Sequence, residues 1–187
     1  APCRIGPDPF PLPAPLLAAL ERQGVLWLAF LRAAHRIYLR SHGGDAPAWI
    51  AAYLDAGKPA RLLEYARMNR FKSQVPMVLR PDLLLTDDGP VACELDSVPG
   101  GIGLLGCLMR LFEREGLRCA GGPDGMVRGF RDALAHLAGA PDPATAIVVS
   151  DESGMYAPEM RWLAEALGAL GVPARAVAPD AFPEAGA

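Results

Sequence analysis

The segment that most limits what this chain can fold into is Arg80-Pro81-Asp82-Leu83-Leu84-Leu85-Thr86-Asp87-Asp88-Gly89-Pro90-Val91-Ala92-Cys93-Glu94-Leu95-Asp96-Ser97. Two apolar runs flank Asp87-Asp88-Gly89, and Asp-Gly between strand-forming residues is the signature of a β-hairpin turn. A pivot at Asp88 sets Asp82 opposite Glu94 and Arg80 opposite Asp96. Because side chains alternate across a strand, those four residues project from one face, and Leu79, Leu83, Leu85, Cys93 and Leu95 make a core surface on the other. Asp87 and Asp88 are read as turn residues only.

Facing carboxylates at Asp82 and Glu94 repel and would weaken the hairpin. A divalent cation removes that penalty, and a set of hard carboxylate oxygens suits Mg²⁺ or Mn²⁺. Arg80 stands beside them, with a planar fork suited to an anionic oxygen. The same residues also fit a solvated sheet face, on which an Arg80–Asp96 surface pair is worth under about 1 kcal/mol. A register slip of one residue would take the carboxylates off a common face.

Downstream, Gly101-Ile102-Gly103-Leu104-Leu105-Gly106 has the G-x-G-x-x-G spacing of a dinucleotide site. The context argues against that use. Glu94 and Asp96 occupy a strand that should be apolar, Pro99 intervenes, and no acidic residue ends a strand about 20 residues further on. The alternative is a loop at a helix N-terminus whose N–H groups accept an anionic part of a substrate, with Ser97, Gly100 and Gly101 as its binding residues.

Around this centre the chain reads as mixed α/β. Six prolines fall within residues 1–15. Apolar Leu16, Leu20, Trp27, Leu28, Leu31, His35 and Tyr38 then recur at helical steps up to Arg40, with a break expected at Gly24 and with His35 a satisfied core residue. Ala46 to Ala56 and Pro59 to Asn69 predict two more helices, and Leu104 to Glu115 and Met126 to Leu137 another two. Ala146 to Ser150, Met155 to Leu170 and Ala174 to Val177 predict a strand, a crossover helix and a parallel strand. The expected division is 1–140, a helical region with the hairpin, and 141–187, the start of a further α/β domain.

Composition excludes several classes. With 51% hydrophobic and 21% charged residues and a net charge of −3, the chain is a poor candidate for disorder, for nucleic acid or for an anionic membrane surface. The apolar stretch Val25 to Leu31 is short of the roughly 20 residues of a bilayer span and runs into Arg32 and Arg36, so no membrane segment is expected. Cys3, Cys93, Cys107 and Cys119 have no metal or redox spacing, which reads as reduced thiols in a cytoplasmic protein. The first residues carry no leader pattern and no initiator Met, as in a portion of a longer chain.

Arg-Pro-Asp at 80–82 followed by Glu94-Leu95-Asp96-Ser97-Val98-Pro99-Gly100-Gly101 resembles the metal-binding hairpin of circularly permuted ATP-grasp enzymes related to glutathionylspermidine synthase. Ser150 to Ser153 and Pro158 to Ala164, with Glu159, are similar to the start of the Rossmann-like preATP-grasp domain of that group. The resemblance implies an ATP-dependent carboxylate–amine ligase, in which a substrate carboxylate takes the γ-phosphate of ATP and an amine attacks the acylphosphate. It implies Asp82, Glu94 and Asp96 as ligands of Mg²⁺ (or Mn²⁺) and Arg80 as the catalytic arginine, with ATP, a small carboxylic acid and an amine as substrates. Asp96 departs from the family, which usually has Asn there. Only Lys58 and Lys72 are Lys, and neither lies on an expected strand, so the nucleotide clamp would belong to the remainder of the ATP-grasp chain. Two other functions remain open: a non-catalytic ligand-binding module of the same fold, and a Mg²⁺-dependent phosphohydrolase.

Overall fold

The computed structural model describes residues 6, 8–97 and 100–181. Cys3, Val98 and Pro99 lie outside the described residues. The chain is mixed α/β, and it divides into two compact units, residues 10–75 and the residues from Pro76 onward. The expected boundary at 140/141 falls inside the second unit. The physical reason is a shared core, since the two helices before that point pack on the crossover helix after it.

The helical unit consists of α1 (Ala14–His42), α2 (Ala48–Asp55) and α3 (Ala60–Ala66). Prolines at 13, 47 and 59 precede the three helices, where their missing N–H costs nothing. Leu16, Leu20, Trp27, Leu28, Leu31, His35 and Tyr38 are all half-buried, as the periodicity predicts. Two expectations fail. Helix α1 runs through Gly24 without a break, the roughly 1 kcal/mol cost of a mid-helix glycine being small against the turns on either side. It is thereby long and apolar enough, by length and composition, to cross a membrane, although Glu21 and Arg22 lie within its span. His35 is not satisfied either: its Nε2 is buried without a hydrogen-bond partner among the described residues.

Few side chains in this unit are fully buried, and polar links do much of the tying. The Ser41 hydroxyl donates to the Pro47 carbonyl at 2.6 Å and accepts the Ala51 N–H at 3.0 Å, joining the end of α1 to the start of α2. Tyr38 donates to Asp55 at 2.8 Å, and Arg67 donates to both the Tyr38 hydroxyl and the Asp55 carboxylate. Burial pushes the Tyr38 hydroxyl above its ordinary pKa, and its bond to Asp55 adds to that. Burial alone would raise Asp55, but the Tyr38 bond and the Arg67 charge outweigh it and hold the carboxyl below the usual range.

The second unit begins with the antiparallel hairpin of β1 (Arg80–Thr86) and β2 (Gly89–Asp96). Helices α4 (Ile102–Arg114) and α5 (Gly125–Ala138) follow, and then parallel β3 (Thr145–Val148) and β4 (Ala174–Val177), joined through α6 (Ala157–Ala169). Their core is Ile102, Val127, Leu163, Ala166, Leu167 and Val172. Leu163 and Leu167, one turn apart on α6, are wholly shielded from solvent, so α6 is the central element. Glycine lets α4 approach it. A Cβ on Gly103 would lie 2.1 Å from the Glu159 carbonyl oxygen, and one on Gly106 would lie 2.9 Å from the Trp162 ring.

Candidate functional site

The hairpin carries the residues in question. Its register pairs Arg80 with Asp96 and Asp82 with Glu94, so alternation sets all four on one side of the ribbon. The route to that register differs from the expected one. Asp87 and Asp88 form a two-residue turn with Thr86 opposite Gly89, so the tip pairs one residue short of a pivot at Asp88. The positive φ falls on Gly89, at +111°, and the Thr86 hydroxyl closes the turn on the Gly89 carbonyl at 2.8 Å. Leu83 pairs with Ala92, and an irregularity between Asp82 and Leu83 leaves Cys93 as the extra residue. That bulge restores the pairing at the base of the hairpin. Cys93 and Leu85, expected on a core face, are exposed, and the Cys93 thiol donates to the Asp82 carbonyl at 3.3 Å.

Arg80 stands among the carboxylates. Its Nε is 3.2 Å from Asp82 Oδ1, one terminal nitrogen is 3.4 Å from Asp96 Oδ2, and the other donates to the Gly100 carbonyl at 3.4 Å. Its side chain is 49% exposed, so these pairs contribute little stability. Glu94 is exposed and has no ion pair or hydrogen bond through its side chain among the described residues. Three carboxylates on two adjacent rungs have the oxygen chemistry of a Mg²⁺ or Mn²⁺ site. They are not drawn into a cage, since among the described residues no three acidic, imidazole or thiol groups stand close enough to hold an ion together.

The glycine loop has a different use from the expected one. Gly101 caps α4 in a left-handed conformation, φ +89°, which favours glycine. Its N–H donates to Glu159 Oε1 at 2.8 Å, and the Leu104 N–H donates to Glu159 Oε2 at 2.9 Å. A carboxylate from α6 therefore occupies the anion position at the α4 N-terminus that a substrate was expected to take. Glu159 is the residue that local sequence reading misses as a cap, because it lies more than fifty positions from the helix that it serves. The three glycines of the G-x-G-x-x-G spacing thus serve a tight turn and close helix packing.

Ser97 and Gly100 lie on the wall of a cleft of about 320 Å³ in the second unit. Ile102, Phe130, Ile147 and Met160 supply its apolar surface, and the Ser153 and Tyr156 side chains add hydroxyls. It opens beside the C-terminal end of β3, where α/β folds commonly bind ligands. Gly100 is packed so closely on Tyr156 that a Cβ there would lie 2.5 Å from the ring.

No protein-family model matches the chain, and neither a curated protein nor a solved structure matches it.

Proposed function

We propose that this chain is the portion of a circularly permuted ATP-grasp carboxylate–amine ligase that carries the metal and acylphosphate residues. In this reading β1 and β2 belong to the ATP-grasp sheet, and β3, α6 and β4 open a Rossmann-like preATP-grasp domain. The observation that carries it is the pairing of Arg80 with Asp96 and of Asp82 with Glu94 on one face of a bulged hairpin. A bulge that recovers this pairing is the kind of irregularity found next to active sites.

Asp82, Glu94 and Asp96 would hold Mg²⁺ (or Mn²⁺), which supplies charge neutralisation for phosphate transfer when bound. Arg80 lies between two of the carboxylates and its fork can swing to an anionic oxygen, since half of its side chain is exposed. Its role is to stabilise the charge that develops as a substrate carboxylate oxygen attacks the γ-phosphorus of ATP and ADP leaves. It does so again as the amine nitrogen attacks the acyl carbon and phosphate departs. Ser97 and Gly100 would border the acid in the adjoining cleft. Gly101 takes a positioning role, its N–H being held by Glu159.

The test is made in the intact protein, following ADP formation that depends on both acid and amine. Arg80→Lys is expected to lower turnover by about 10²–10³-fold with an unchanged melting temperature, because Lys keeps the charge and loses the fork. Unchanged turnover would remove Arg80 from the mechanism. The absence of a three-carboxylate cage among the described residues favours a second reading, a module of the same fold that binds ligand without ATP chemistry. No ADP formation by the intact protein with any acid and amine pair would select it.

A further inference from the structure

The helical unit contains a cavity of about 260 Å³ whose lining has nothing to do with the hairpin. Arg32, His35, Arg36 and Leu39 line it from one face of α1, at the three and four residue steps that put side chains in a row. Lys72 and Gln74 line it from the segment after α3. Lys72 is one of only two lysines in the chain.

Three cations therefore converge on one small space. Arg32 and Arg36 are four residues apart on a helix, an arrangement that destabilises when the charges are alike. Among the described residues none of Arg32, Arg36 and Lys72 forms an ion pair with a carboxylate, although Arg67, Arg80, Arg110, Arg128 and Arg131 all do. His35 lines the same cavity from α1, although its Nε2 is shut off from solvent and does not open on that space.

We propose that this cavity is a binding site for a phosphoanion, the diphosphate or phosphoryl group of a small molecule. Such a ligand answers the like charges gathered there. Its oxygens accept charge-assisted bonds from the two guanidinium groups and the ammonium. The volume suits a compact headgroup better than a large apolar body. A carboxylate offers two oxygens and one charge, too little for three cations. The proposal does not rest on the ligase reading.

The experiment is a calorimetric titration of the whole chain with inorganic pyrophosphate at constant ionic strength, alongside NMR of the imidazole resonances. Saturable binding is expected, with the His35 resonances shifting and those of His42 and His136 unmoved. Lys72→Gln and Arg36→Gln should each weaken binding by about tenfold or more, whereas Lys58→Gln should not. Lys72 is an exposed residue in a turn, so its replacement leaves the fold intact and keeps the test valid even if an α1 variant unfolds. No saturable heat, binding untouched by Lys72→Gln, or an equal response to potassium chloride would each overturn the proposal.

Discussion

At the scale of single residues, two positions on the α4–α6 contact contribute to the stability of the second unit. Gly103 has the Glu159 backbone where its Cβ would go, and neither helix can yield without opening the core around Leu163. Gly103→Ala is expected to cost more than about 3 kcal/mol, read by denaturant unfolding. Glu159→Ala removes the acceptor of two backbone N–H groups and should cost about 1–2 kcal/mol, with the fold retained. In the helical unit Asp55 gives a pH dependence with a definite sign. Its folded pKa lies below the unfolded value, so its contribution is present above the ordinary carboxylate range and is lost as pH falls through the folded value. The melting temperature should therefore drop on acidification below about pH 4, and Asp55→Asn should flatten that drop. A profile unchanged by Asp55→Asn would assign the acid sensitivity to other carboxylates.

At the scale of elements, the hairpin shows what local sequence can and cannot reveal. The Asp-Gly signal, the alternation of Arg80 with Asp82 and of Glu94 with Asp96, and the strand-helix-strand run after Pro143 were legible because they depend on neighbours in sequence. The bulge at Cys93 was not. It compensates for a turn one residue tighter than a pivot at Asp88, and only the competition between turn geometry and base pairing decides where the extra residue goes. The cap on α4 was hidden for a similar reason, since its acceptor comes from α6. The continuous α1 reflects the helical turns on either side outweighing the small penalty at Gly24. If Cys93 is the extra residue, deleting it should leave Asp82 opposite Glu94 and Arg80 opposite Asp96, with stability changed by no more than about 1 kcal/mol. Cross-strand NMR contacts at Asp82 and Glu94 read this directly, and their loss on deletion would mean that the bulge itself holds the register.

At the scale of the whole molecule, the two units bury apolar surface very unequally. Leu163, Leu167, Val127 and Val172 are wholly shielded in the second unit, whereas Ala51 is the buried hydrophobic residue among those described in residues 10–75. Residues 76–187 expressed alone should unfold cooperatively, and residues 10–75 alone should not, because about 66 residues with so little buried surface cannot offset chain entropy. A cooperative melt of the isolated helical unit would contradict that. The site lies in the second unit, where Arg80 pairs with Asp82 and Asp96 and the hairpin register sets Glu94 opposite Asp82 on the same face. Its most direct test is an electron paramagnetic resonance titration of the chain with Mn²⁺, comparing it with Glu94→Gln. One saturable site is expected, its affinity falling by about tenfold or more in Glu94→Gln while the melting temperature is unchanged. A titration with no saturable site, or one that Glu94→Gln leaves unaltered, would contradict it.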